Sequence, residues 1–254
     1  MMNRIALGRD ARVNALLGAG HFLSHFYQLC LPPLFIAWQQ AFDVSFAELG
    51  LAMAVMAGAA AVMQTPMGFL VDRYGARPFL VGGTLLMTLS IAAMGFATAY
   101  WQVVGLALLS GVGNSVIHPA DYAILSGSVD RAKLGRSSAF HTFIGHVGFA
   151  AAPPATAALA LLFGWRGALL FVGLLGLPVV AAILWQSRIL TDQAGEPRRR
   201  SVTPASGTRL LLSRSVLMFF AFADVFRILY GFVDGRGGDP ILVDHNPPPG
   251  ARFG

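Results

Sequence analysis

Six apolar stretches follow one another along the chain, at approximately 13–38, 47–70, 78–98, 101–127, 137–162 and 167–187, with short polar breaks between them. A helix needs about 20 mostly apolar residues to cross the hydrocarbon core, and each stretch has that reach. A seventh apolar run begins near Leu210 and loses its character towards Val233, interrupted by Asp224, Arg227 and Asp234. The pattern predicts an all-α, polytopic membrane bundle. Residues 1–187 form a six-helix unit, 188–209 a cytoplasmic basic linker, 210–233 a partial seventh span and 234–254 a polar tail. The tail's His245-Asn246-Pro247-Pro248-Pro249-Gly250 has the composition of disordered chain. Pro32, Pro33, Pro119, Pro153 and Pro154 fall inside spans. Neighbouring helices in a bilayer can satisfy the backbone groups a proline frees, so all are expected to stay within their helices.

Composition agrees with the pattern. Only 12% of the 254 residues are charged and 56% are hydrophobic, against about 25% charged in soluble domains. The net charge of +6 does not point to nucleic acid, because the basic residues sit in the breaks between spans. Alternate breaks hold Arg4, Arg9, Arg12, Arg73, Arg77, Arg131, Lys133, Arg136 and then Arg188, Arg198, Arg199, Arg200, Arg209 and Arg214; the opposite breaks hold Arg166 alone. Basic loops stay in the cytoplasm, which predicts a cytoplasmic N-terminus and a multi-pass protein of the plasma membrane. The stretch from Val13 is too long for the apolar core of a signal peptide and lacks a small-residue cleavage site. Cys30 is the single cysteine, so no disulfide forms within the chain.

The break between the second and third stretches reads Gly68-Phe69-Leu70-Val71-Asp72-Arg73-Tyr74-Gly75-Ala76-Arg77. It resembles the loop signature of the major facilitator superfamily, Gly-x-x-x-Asp-Arg-x-Gly-x-Arg, at the place where that family carries it. The resemblance implies a gate latch made by Gly68, Asp72, Arg73, Gly75 and Arg77. Physically, Gly68 allows close helix approach, Asp72 can accept hydrogen bonds from a neighbouring helix N-terminus, and Gly75 suits a turn. Gly164-Trp165-Arg166-Gly167 is similar to a frequent family feature, and Gly145, Gly148, Pro153 and Pro154 resemble a loosened antiporter motif. Ile117-His118-Pro119-Ala120-Asp121-Tyr122 resembles the fosmidomycin-resistance-like drug-efflux branch. The family often has an arginine where Ala107 stands, so a mechanism through that arginine is not expected. The resemblance covers residues about 13–190. The family fold has two six-helix halves, of which this chain would supply the first.

Ionisable groups inside spans are costly and mark function by default. His21, His25 and Gln28 are spaced to share one face of the first span, and Ser110, Asn114, His118 and Asp121 one face of the fourth. His141 shares a face of the fifth with Gly145 and Gly148 and is expected near the inner surface. His146, turned roughly 140° from it, is expected to be buried packing. The sharp reading is that the first, fourth and fifth spans line an aqueous path in which Asp121, His118, His25, His21, Asn114, Gln28 and His141 handle protons. A buried carboxyl gives up its proton as water reaches it, and imidazole titrates near neutral pH. The plain alternative is hydrogen bonding between helices. An Asp121 without a charge partner would be costly, so it is expected to be protonated, wetted, or paired with His118 or His141.

No Gly-x-x-x-x-Gly-Lys-Ser/Thr run and no His-Glu-x-x-His occurs, so neither nucleotide-driven transport nor a zinc protease is expected. The spacing of the three histidines of the first and fourth spans does not by itself demand a metal, and no cofactor is expected. The expected activity is secondary active transport of a small molecule by alternating access, proton-coupled and outward. Its partners are the substrate, protons and the bilayer of a bacterial inner membrane, not nucleic acid. Because the seventh span fades in mid-helix, an inactive truncated or frame-shifted half-transporter is the alternative expectation, with an intramembrane enzyme behind it.

Overall fold

The computed structural model describes residues 8–192 and the single residue Met218. The partial seventh span, the tail and most of the linker lie outside the described residues. Everything described in 8–192 is helix or short connection: α1 (Arg9–Leu29), α2 (Phe35–Phe42), α3 (Phe46–Tyr74), α4 (Ala76–Met94), α5 (Tyr100–Ser115), α6 (Ile117–Ser128), α7 (Leu134–Leu174) and α8 (Gly176–Trp185). α1 packs along α7, and α5 lies between α3 and α4.

Among the described residues, four segments are long and apolar enough to cross a membrane: Phe46–Tyr74, Ala76–Met94, Tyr100–Ser128 and the 55-residue Arg131–Trp185. At 1.5 Å per residue the last would run about 80 Å, far beyond a hydrocarbon core of about 30 Å. It is broken at Gly164, whose φ of 69° and ψ of 169° are non-helical. The residues before the break pack on α1, with Ile144 and Phe140 against Gly18, and those after it pack on α4, with Leu170 against Gly95.

The helix boundaries follow local chemistry. Ser45 accepts from the Glu48 amide while Glu48 accepts from Ser45, a reciprocal cap that starts α3. Gly75, at φ 93°, turns the chain directly from α3 into α4, a conformation that a side chain would oppose. Two helices differ from the sequence expectation. The first stretch does not run unbroken from 13 to 38: Pro32–Leu34 forms a 3-10 turn between α1 and α2. The fourth stretch breaks at Val116 into α5 and α6, where Pro119 offers no N–H to the carbonyl four residues back. Pro153 and Pro154, by contrast, remain inside α7.

The distribution of side chains is that of a protein in lipid. Leu161, Leu162, Val62 and Trp185 are among the most exposed residues, while Ser24, Thr84, Thr88, Ser110, Ser115 and Thr156 are buried between helices. Tyr27, Leu17, Leu80, Met87, Ile91, Ile117 and Ile124 complete the interior. Hydroxylated and small residues between the helices, beside an outer surface that is itself apolar, are the arrangement of a bundle in lipid.

One end of the bundle is tied by the segment that follows α8. Leu190 is fully buried. The Thr191 amide donates to Ser128 Oγ at 2.7 Å, and the Thr191 hydroxyl donates to the Gly127 carbonyl at 3.0 Å. Arg9 donates to the Ile189 carbonyl and Thr191 hydroxyl. Residues 189–192, at the start of the segment expected as a linker, are therefore fastened to the bundle. The apolar Leu190 and the polar pair Thr191-Asp192 are the signals that basic composition concealed.

Candidate functional site

The polar residues of α1, α6 and α7 converge. His21 Nδ1 lies 2.9 Å from the His141 carbonyl. A carbonyl can only accept, so this nitrogen carries the hydrogen. In the neutral ring Nε2 is then a bare lone pair, and His25 Nε2, 2.8 Å away, must donate to it. His21 also stacks on His141, with ring centroids 3.9 Å apart and planes 13° from parallel. His118 from α6 approaches edge-on, 5.1 Å from His21 and 5.9 Å from His25 between centroids. Gly145 makes room for this cluster: a Cβ there would fall 2.8 Å from His21 Cε1.

Asp121 lies on the same side of the cluster as His141. Its carboxylate Oδ2 is 3.4 Å from His141 Nε2, and both side chains are all but inaccessible. Neither carboxyl oxygen, nor either ring nitrogen of His141, makes a hydrogen bond among the described residues. Of the two partners expected for Asp121, the fold brings His141 into ion-pair range. His141, expected near the inner surface, is 1% exposed and lies under the ring of His21. The expectation that His146 is buried packing is corrected. It is exposed, bonded to its own helix at the Thr142 carbonyl, with its ring 6.2 Å from His25.

The remaining residues of the two stripes divide by role. Asn114 is buried and donates to the Ser24 carbonyl at 3.2 Å, tying α5 to α1. Gln28 donates weakly within α1, to Ser24 at 3.4 Å, and lines a cavity of about 390 Å³ with Leu29, Met53, Met56, Ala57 and Phe149. Of the seven residues expected on an aqueous path, Asp121, Asn114, His21 and His141 are buried here, while His25, His118 and Gln28 are half-buried. Sequence reasoning missed Tyr122, whose ring stands 5.9 Å from His141 and 6.5 Å from His118.

At the α3–α4 turn, Asp72 and Arg73 are exposed, Arg77 is half-buried and Gly75 is buried. The amide of Ala76, first in α4, donates to Asp192 Oδ2, so it is Asp192 that takes this helix N-terminal amide. Arg77 Nε donates to the Leu190 carbonyl. Gly68 makes no close approach among the described residues, since a Cβ there would meet nothing within 4 Å.

The sequence matches the family profile described as Major Facilitator Superfamily over residues 17–234. An uncharacterized MFS-type transporter of Mycobacterium tuberculosis is 35% identical over 225 residues, covering 83% of this chain and 52% of that protein. The fosmidomycin resistance protein of Escherichia coli is 24% identical over 218 residues, covering 83% and 53%. A crystal structure of the peptide transporter POT in complex with sulfate superposes with a TM-score of 0.61 at 14% identity, over 88% of this chain and 47% of that one; this is a likeness of fold. The chain spans about half the length of the curated relatives it matches.

Proposed function

The chain belongs to the major facilitator superfamily, a family of multi-pass membrane transporters rather than enzymes, and from that premise we propose that it is one half of a proton-coupled secondary transporter. Its six spans are α1 with α2, α3, α4, α5 with α6, and the two parts of α7–α8 on either side of Gly164. Residues 210–233 begin a second half. The N-terminus faces the cytoplasm of a bacterial inner membrane, as the basic breaks favour. The cargo is a small molecule moved outward by rocking of the halves about a midplane site. Outward direction is supported by the relative named for fosmidomycin resistance. The α3–α4 turn with Asp72, Arg73, Gly75 and Arg77 acts as the inner latch, working against the 189–192 strap.

The observation that carries the reading is the pair Asp121–His141. A buried, ionised carboxylate with no hydrogen-bond donor among the described residues is too costly to persist. The proton therefore resides on the carboxyl, beside a neutral imidazole. This leaves the pair neutral overall while it stays buried. Opening towards water on one side lets the proton leave, which couples the conformation to the proton gradient.

The test is Asp121→Asn in the protein reconstituted in liposomes, after a small-molecule panel has identified a cargo whose movement is coupled to protons moving the opposite way. Gradient-driven accumulation of that cargo should fail, while cargo-for-cargo exchange persists, since exchange needs no net proton movement. Unchanged pH-driven accumulation in Asp121→Asn would make the residue a packing aspartate and end the proposal.

A further inference from the structure

We propose that His21, His25 and His118 form a three-imidazole site for a zinc-class divalent ion, bridging α1 and α6. One ring nitrogen from each lies within 4.8 Å of the others. His21 and His25 are four residues apart on α1, the spacing by which a helix offers two imidazoles from one face to a single ion. His118 closes the triangle from the start of α6.

The donor chemistry of His21 fits the role. Its Nδ1 hydrogen goes to the His141 carbonyl, 2.9 Å away, which leaves Nε2 as a lone pair held in a fixed direction. Metal-bound histidines commonly carry such an outer hydrogen bond, which fixes the tautomer and raises ligand basicity. Stacking on His141 occupies the face of the His21 ring and leaves the in-plane lone pair available. His25 joins by moving its hydrogen from Nε2 to Nδ1, which exchanges its hydrogen bond to His21 Nε2 for a bond to the ion. His118 makes no hydrogen bond among the described residues, so nothing must be broken to recruit it.

The geometry needs little adjustment. Zinc–imidazole bonds of about 2.0–2.1 Å in a tetrahedron set ligand nitrogens roughly 3.3–3.4 Å apart. His21 and His25 stand at 2.8 Å, and His118 has the freedom of a half-buried side chain. Three neutral imidazoles leave the fourth position open, as in catalytic rather than structural zinc sites. Imidazole donors select zinc, copper or nickel over magnesium and calcium. Coordination fastens α6, which carries Asp121, to α1, whose His21 stacks on His141. The site stands on its own geometry and does not require the transport reading.

The experiment is titration of the untagged full chain in detergent with Co²⁺, followed by displacement with Zn²⁺. One Co²⁺ per chain is expected, with the intense visible bands of a four-coordinate nitrogen site, lost on adding Zn²⁺. His25→Ala and His118→Ala should each weaken Zn²⁺ binding at least about tenfold, the loss typical even of an outer-shell partner. His146→Ala, which lies outside the trio, should bind as the wild type does. His118→Cys keeps a zinc ligand, and should restore binding and add a sulfur-to-cobalt charge-transfer band; it reads the site even if the alanine variants fail to fold. The absence of Co²⁺ binding by the wild type, or binding untouched by both alanine variants, overturns the proposal.

Discussion

Gly145→Ala isolates the packing that holds the histidine cluster together. The added methyl carbon would stand 2.8 Å from His21 Cε1, 3.0 Å from Nδ1 and 3.1 Å from Nε2. Favourable carbon contacts begin near 3.5 Å, so the ring must withdraw by about 0.7 Å. A free side-chain end would yield at small cost. This ring is held by the His141 carbonyl on one nitrogen, His25 on the other and the face of His141. Overpacking of a fixed core costs about 1–3 kcal/mol, and weakening one buried hydrogen bond adds roughly 1 kcal/mol. The expected loss is about 2–4 kcal/mol, or roughly 4–16 °C in the apparent Tm of a chain this size. The assay is thermal unfolding of the purified protein in one detergent, beside Gly105→Ala in α5. A Cβ at Gly105 meets nothing within 4 Å, and alanine in a helix interior gains up to about 1 kcal/mol over glycine. Gly105→Ala should therefore hold or raise Tm. Equal Tm values for the two variants would refute the reasoning, because the cluster would then be too loose to register a methyl group.

Topology can be read with Cys30→Ser as background. A cysteine replacing Ser45, at the exposed start of α3, should react with an impermeant thiol reagent from outside intact cells, and one replacing Ala132 only after lysis; the reverse would overturn the orientation. Asp72→Asn at the inner turn should slow transport while leaving cargo affinity within about threefold, and a large loss of affinity at normal turnover would contradict a latch. Lys133→Ala removes an ion pair to Asp10 at 2.9 Å whose lysine is 61% exposed. Solvent screens so exposed a pair, so Tm should barely change, and a clear fall would mean that the bridge fastens α1 to the start of α7.

What the sequence could reveal depended on the range of the interaction. Helix content and membrane character were legible because lipid demands long apolar runs, and each run reports on itself. The turn at Gly75 and the break at Gly164 were legible as glycines flanked by basic residues or Trp165. The convergence of His21, His25 and His118 was only half legible: spacing put each set on a face, but the angle at which α6 meets α1 depends on the break at Val116. His146 shows the limit of face counting, since rotation away from His141 does not say whether protein or open space lies on that side. The strap at 189–192 was hidden because its hydrogen bonds join residues more than sixty positions apart, and because the arginines that follow it set the composition of the whole segment. Asp192 at the Ala76 amide was missed for the same reason.

The central claim is that Asp121 exchanges a proton within the bundle, and infrared difference spectroscopy of the protein in lipid, titrated with pH, tests it most directly. The account predicts a carbonyl band of a protonated carboxyl in a dry setting that disappears in Asp121→Asn and shifts in His141→Gln, where the partner at 3.4 Å is replaced. A wild-type spectrum whose protonated-carboxyl bands are all retained in Asp121→Asn would contradict it.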